Sequence, residues 1–330
     1  MNKTYQTLLI FAICLMIIPS FILLNKGVSK LFKSSQKETL ISSDIQEVSI
    51  LNSETKDVAV MNIKDYLIWN VMAQMPGTFE KEALKAQAVL SHTYILNRYL
   101  TEKENPTDSL LGAIISTDDT VYPKTFTTDE AKAYYGEKYE TALKNVSSAV
   151  DEVINDICIY ENQPIIVAYH TISSGKTESS KDIWNEDVPY LVSVDSVYDK
   201  KAEGFSKTTT VSADDFKKNA EETFAVELSG SSEDWIKIIK QTNNGTPLTI
   251  SLGGKEINAS ELCTALDLPS QHFNIEIKDK NIIFKTEGLG HLVGMSQYGA
   301  NSLAKEGKHY KEILAYYFPN TELFSLNQKS

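Results

Sequence analysis

The chain has 330 residues, 42% hydrophobic and 23% charged, which suits one large or two small globular domains with a real core. Its net charge of −12 and pI near 5.0, with no Lys/Arg run beside aromatic residues, argue against nucleic acid as a partner. Cys14 lies in an apolar N-terminal stretch, and Cys158 and Cys263 show no CxxC spacing, so two buried thiols are expected rather than a redox or metal motif. His92, His170, His272, His291 and His309 form no HxxxH or HExxH pair, and no metal or other cofactor is expected.

Leu8–Leu24 is almost wholly apolar, with Lys3 before it and Lys26, Lys30 and Lys33 after it. It matches the shortest spanning helices, about 17 residues. No small-x-small cleavage site follows, so residues 1–30 read as an uncleaved signal anchor. The lysines after the span would alone hold the next domain inside. A short basic start before an apolar span favours translocation, which places the bulk of the chain outside the cytoplasm on a single-pass anchor. Residues 31–55 are polar and turn-rich and read as a stalk.

Asp57–Ile63 predicts a strand and Lys64–Ala73 a short helix. Met75-Pro76-Gly77 breaks that helix, because Pro76 cannot sit inside one and pushes Met75 towards an extended conformation. Gly77 or Thr78 is expected to cap a second helix, with Glu80 in its first turn. Ala83, Leu84, Gln87, Leu90, Ser91 and Tyr94 fall at helical spacing and predict one buried face. The elbow so formed presents Gln74. Asn105–Tyr139 reads as irregular, and Lys138–Asn155 as helical.

Ile157–Tyr160 and Pro164–His170 predict a hairpin around Glu161-Asn162-Gln163, followed by a polar turn that runs to Thr177. Val211–Phe224 contains a helix. Trp235–Lys240 and Pro247–Leu252 read as strands joined by Asn243-Asn244-Gly245, Ala259–Leu266 as a small helix, and Phe273–Lys278 with Asn281–Lys285 as a second hairpin. A glycine-rich stretch, Gly288 to Ala300, then enters a helix ending near Lys305, and His309–Phe318 closes the fold. The glycine-rich stretch lacks the Walker Lys-Ser/Thr and does not fit a dinucleotide fingerprint. His170 and Ser174 belong to one local turn without a GxSxG elbow, so a hydrolase pair is not expected.

Three separated stretches, taken together, resemble the stage II sporulation protein D family, membrane-anchored lytic transglycosylases of sporulating bacteria. They are Ala73-Gln74-Met75-Pro76 with Glu82-Ala83-Leu84-Lys85-Ala86-Gln87-Ala88; His170 to Thr177 with Trp184 and Pro189-Tyr190-Leu191; and Gly290-His291-Leu292-Val293-Gly294-Met295-Ser296-Gln297-Tyr298. The resemblance covers roughly residues 57–324 and departs from the family at three positions. The family reads Glu-Met-Pro at the elbow, with that Glu as its catalytic acid, where this chain has Gln74. The family has Arg where this chain has His92, and prefers Gly where this chain has Leu292.

The resemblance implies an α+β fold: a two-lobed extracytoplasmic domain over 56–324, with a smaller α/β lobe inserted at about 207–286. A groove between the lobes would be lined by Gln74, the His170–Lys176 loop and the Gly290–Tyr298 loop. The implied reaction cleaves the MurNAc–GlcNAc bond of peptidoglycan to a 1,6-anhydro product, with one carboxyl acting as acid and then base. Gln74 occupies the acid position, with Glu80 and Glu82 as possible stand-ins. Lys85, Gln87, His170, Ser173, Ser174, His291, Ser296, Gln297 and Tyr298 are the expected substrate contacts. Gln74 cannot exchange a proton, and general acid–base catalysis contributes about 10²- to 10⁴-fold. A non-catalytic glycan-binding scaffold or amidase enhancer is therefore the alternative. The implied partners are glycan strands, a peptidoglycan amidase or endopeptidase like stage II sporulation protein P, and a membrane protein like stage II sporulation protein M. The implied place is the cell membrane at the sporulation septum, on the mother-cell side.

Overall fold

Hydrophobic alternation begins earlier than the composition suggested. The computed structural model describes residues 45–326, so the apolar span and the start of the stalk lie outside the described residues. Strand β1 (Glu47–Leu51) buries Val48 and Leu51 and takes up the end of the stretch read as stalk. It pairs antiparallel with β2 (Val58–Asn62) and parallel with β3 (Ile115–Ser116). Asn62 caps α1 (Ile63–Gln74), its side chain accepting the Lys64 N–H at 2.9 Å. Met75 is extended, as Pro76 requires (φ −134°, ψ 139°).

The second helix, α2 (Lys81–Glu104), starts later than expected. Pro76 and Phe79 close a turn first, and Glu80 is the N-cap. The Glu80 side chain makes no cap bond; its backbone N–H donates to Asn301 Oδ1 at 2.8 Å. Residues from Ala83 to Arg98 are buried on more than one side of α2, so this is a central helix and not one with a single apolar face. The stretch 105–139, read as irregular, contains α3 (Thr128–Tyr135). Its capping box, Thr127 with Glu130, was the missed signal. Helix α4 (Tyr139–Val153) follows. Strand β4 (Asp156–Tyr160) turns through Glu161 and Asn162, both at positive φ, into β5 (Gln163–Pro164).

The chain divides into two compact units, one of which is Tyr169–Gly299. That unit opens with β6 (Tyr169–His170) and α5 (Ser180–Trp184). Its larger part contains β7 (Ser206–Ser212), α6 (Ala213–Phe224), β8 (Ile236–Gln241), β9 (Pro247–Leu252), β10 (Lys255–Asn258), α7 (Ala259–Ala265), β11 (Phe273–Lys278) and β12 (Asn281–Glu287). The sheets run β10-β9-β8 and β11-β12-β7 around a core that includes Phe216, Ile250, Leu262, Phe273 and Phe284. Strand β13 (Met295–Ser296) pairs parallel with β6.

Helix α8 (Gln297–Lys305) leads into the other unit, which joins residues up to Ala168 with those from Ala300. There α9 (Tyr310–Tyr317) is followed by β14 (Glu322–Ser325), which pairs with β4. Each unit mixes helices and sheets, so the fold is α+β. Cys158 and Cys263 are both buried and free, as expected.

Gly77 marks the closest approach in the elbow. A Cβ there would meet the Cβ of Ala142 at 2.8 Å and its backbone at 3.1 Å. Gly77 also donates to the Tyr135 phenol and accepts from Asn145, so it has no room to retreat. Gly77→Ala is expected to destabilise the protein by about 1–3 kcal/mol, through the overpacking penalty. Urea unfolding of the two proteins measures it.

Candidate functional site

Gln74 is the last residue of α1 and is only 7% exposed. Its Nε2 donates to the Lys124 carbonyl at 2.9 Å, and Asn70, one turn earlier, donates Nδ2 to the same oxygen at 3.0 Å. The phenol of Tyr135 then locks the chain beyond it. It donates to the Met72 carbonyl at 2.8 Å, lies 3.3 Å from the Met75 carbonyl, and accepts the Gly77 N–H at 2.9 Å. The elbow is therefore fixed on both sides of position 74.

The residues of the Glu82–Ala88 stretch brace helices. Glu82 pairs with Lys85 at 2.6 Å and accepts the Tyr310 N–H at 2.9 Å, which ties α2 to α9. Burial raises the Glu82 pKa, but the Lys85 ammonium and the Tyr310 N–H outweigh it and hold the carboxyl below its usual value. Lys85 also reaches Glu152 on α4 at 2.6 Å, and its side chain is 12% exposed. Burial alone would lower its pKa; its two carboxylate partners raise it overall. An acid needed as proton donor near neutral pH requires the opposite shift from that of Glu82. Gln87 and His92 are buried within the packing of α2 and do not present a surface to a ligand.

The two other expected stretches meet within the unit Tyr169–Gly299. His291 accepts the Val293 N–H at Nδ1 (3.1 Å), so Nε2 carries the proton and donates to the Tyr169 carbonyl at 2.9 Å. His170 faces the Val293 carbonyl through Nδ1 at 3.1 Å, so that nitrogen is the donor and Nε2 keeps a lone pair. The two imidazoles lie edge to face at 5.7 Å, and the half-buried Trp184 ring is 5.4 Å from His291. Burial pushes the His170 pKa down to about 3, helped by His291, and that of His291 down to about 4. Both rings are neutral at physiological pH.

Ser173 and Ser296, expected to touch substrate, are fully buried. Both hydroxyls, with that of Ser196, bond to Asp199, which also accepts the Ser173 N–H at 2.7 Å. Asp199 is fully buried; burial raises its pKa, and these hydrogen bonds pull it part of the way back. The serines thus join the two loops through one carboxylate. Gln297 is also buried, whereas Ser174, His291 and Tyr298 keep partly exposed edges. Tyr298 packs on Ile172, Ala202 and Leu289.

Glu178 is a second buried carboxylate. It accepts from Thr242 (3.0 Å), Thr246 (2.5 Å) and Asn244 (3.1 Å) in the turn between β8 and β9, while its N–H donates to the Leu292 carbonyl at 2.7 Å. Thr246 continues to His272 at 2.9 Å. Asp199, Glu178, Asn70 and the Lys124 carbonyl escaped the sequence reading. No motif marks an isolated acid whose partners are serines and threonines, and a backbone carbonyl leaves no trace in sequence at all.

Gly290 and Gly288 have positive φ, and a Cβ would meet His170 Cβ at 2.9 Å or the Ile172 carbonyl at 2.8 Å. Leu292 is left-handed too, with φ 66°, a conformation glycine adopts more readily than leucine. Among the described residues no group of His, Cys, Asp or Glu is arranged to hold a metal ion.

Comparison with known proteins decides the family. The sequence model described as "Stage II sporulation protein" matches residues 51–160. The stage II sporulation protein D of Bacillus subtilis is 34% identical, over 88% of this chain and 82% of that protein. That of Bacillus amyloliquefaciens is 32% identical, over 84% and 78%. The chain belongs to the stage II sporulation protein D family. A more distant relative, the amidase enhancer of Bacillus subtilis, is 26% identical over 76% of this chain and 39% of its own length.

Two outcomes follow for this family member. His170 and His291 have folded-state pKa values below their unfolded 6.5, so the unfolded chain takes up protons that the folded loops refuse. Their stabilising contribution is complete above pH 6.5 and declines as pH falls, towards about 4 for His291 and about 3 for His170. Asp199 and Glu178, with raised values, act in the opposite sense above their unfolded 3.8 and 4.5. NMR titration is expected to find both imidazoles still neutral at pH 5. Leu292→Gly relieves about 1–2 kcal/mol of left-handed strain but empties the volume of a fully buried leucine, a change of about 2–5 kcal/mol. A net loss of about 1–3 kcal/mol in urea unfolding is expected, despite the relieved strain.

Proposed function

We propose that the protein engages the glycan strands of peptidoglycan during sporulation, through a site of lytic-transglycosylase type whose acid position carries an amide. It then binds and positions glycan without cutting it. Gln74 carries this reading: it occupies the elbow where the family has its catalytic Glu, and it is held there as a hydrogen-bond donor that cannot give up a proton. Neither expected stand-in offsets the loss. Glu82 is committed to Lys85 and Tyr310 and favours its charged form. Glu80 is the N-cap of α2, anchored through its backbone to Asn301.

On the Tyr169–Gly299 unit the glycan would meet the partly exposed edges of Ser174, His291, Tyr298 and Trp184, the last offering an apolar ring face to a sugar. Ser173, Ser296, His170 and Gln297 would act from beneath by fixing the loops. The apolar Leu8–Leu24 would anchor the chain in the cell membrane at the septum, with the folded part outside the cytoplasm. A relative named amidase enhancer supports a role beside a peptidoglycan amidase or endopeptidase of the protein P kind, and a membrane protein of the protein M kind would complete the assembly.

The alternative, a cutting enzyme, is tested on the same material. Purified peptidoglycan is incubated with the protein and with Gln74→Glu, and 1,6-anhydro ends are sought by mass spectrometry. The expected result is sedimentation with peptidoglycan in both cases and anhydro ends with Gln74→Glu alone, at a rate about 10²- to 10⁴-fold above the parent. Equal cleavage by both proteins would return the acid to another residue.

A further inference from the structure

The Lys124 carbonyl oxygen accepts two side-chain amides from one face of α1, Asn70 Nδ2 at 3.0 Å and Gln74 Nε2 at 2.9 Å. Asn70 is 1% exposed and Gln74 7%, so water does not replace these bonds freely. The oxygen is held in place. Phe126, two residues on, donates its N–H to the Trp69 carbonyl at 3.3 Å, and the Lys124 ammonium turns to Glu130 at 3.2 Å. A carbonyl has no proton to offer. Whatever faces it from position 74 must donate. A neutral carboxyl does so through its O–H, but a carboxylate sets lone pair against lone pair in a site shielded from water.

We propose that the Lys124 carbonyl, oriented by Asn70, is a seat for a proton donor at position 74, and that it keeps a carboxylic acid placed there protonated at neutral pH. Asn70 and the Lys124 backbone are thereby positioning groups for the acid. The present Gln74 satisfies the seat with an N–H, which explains how the acid is lost without leaving the carbonyl unpaired. The functional weight of the seat rests on reading position 74 as the acid position; its existence does not.

The titratable groups on the elements around α1 do not supply the same effect. On α3 and its cap, Glu130 pairs with Lys124, and the Tyr135 phenol is bonded to the carbonyls of Met72 and Met75 with its pKa pushed above its usual range by burial. On α2, Lys85 is shared by Glu82 and Glu152, Arg98 pairs with Glu102 and lies against the Tyr122 ring, and His92 is buried. On α4, Asp151 pairs with Lys64 at the far end of α1, and Glu152 also pairs with Lys81. On α1 itself, burial raises the pKa of Tyr66 beyond its usual range.

The test is a titration of the full-length chain carrying ¹³C-labelled glutamate. The carboxyl introduced by Gln74→Glu is identified by difference from the parent spectrum. Its midpoint is expected about 1.5–2.5 pH units above the ordinary glutamate value of about 4.3. A midpoint at or below that value overturns the seat. A second measurement uses the unaltered chain: one Gln74 side-chain amide proton should exchange with solvent at least about tenfold more slowly than that of a free glutamine. Exchange as fast as the free amide also overturns it. The peptidoglycan assay reads a different quantity. A raised midpoint without anhydro ends keeps the seat and removes the transglycosylase reading; an ordinary midpoint with anhydro ends does the reverse.

Discussion

The Tyr135 phenol closes the break between α1 and α2, and position 74 depends on that closure. Pro76 lacks an N–H and prevents the helix from continuing, so the last carbonyls of α1 need another donor. Tyr135 supplies it to Met72 and takes the Gly77 N–H in return. One buried hydroxyl thus satisfies groups on both sides of the turn. It also carries α3 with it, so the helix missed in the sequence is the one that secures the elbow. The close contact of Gly77 with Ala142 fixes the other side of the same turn.

Buried carboxylates perform the equivalent task in the Tyr169–Gly299 unit. Asp199 draws serines from the polar turn and from the glycine-rich loop onto one charge, and Glu178 binds the turn of the β8–β9 hairpin while touching the Leu292 carbonyl. Among the described residues no Lys or Arg forms an ion pair with either group. Hydroxyl, amide and backbone donors share the burden instead, each of them charge-assisted. Such clusters fix geometry more than they add stability, because burying the charge opposes folding. That balance suits loops that must hold one shape.

Much of this architecture was legible. The helices either side of Pro76, the hairpin at Asn244-Gly245 and the final helices follow from periodicity and turn residues, and the three separated stretches gave the family. What was not legible has a common physical origin. Residues 47–51 looked like stalk because five residues carry little periodic signal before a partner strand is known. The cap of α2 moved to Glu80 because Asn301, distant in sequence, supplies the side-chain acceptor. Glu82 and Lys85 were read from the family resemblance as a stand-in acid and a substrate contact, while the partners that hold them, Tyr310 and Glu152, are far along the chain. Ser173 and Ser296 were read as substrate contacts, yet both are fully buried on Asp199, an acid that stands alone in sequence.

Positions 74 and 292 meet different physical demands. At 292 a leucine stands where the backbone asks for glycine, and the strain is offset by filling a buried volume next to Gly288; the Cβ built on Gly288 would lie 3.0 Å from its Cδ2. The exchange there is between two structural terms, and the loop keeps its path. At 74 the amide donates to the Lys124 carbonyl, so the chain keeps its path, and an amide does not act as an acid near neutral pH. Substituting aspartate or alanine would have left the Lys124 carbonyl with one donor fewer in a site that water enters poorly, and would have disturbed the elbow. The elbow therefore keeps its shape through bonds that need no charge at position 74.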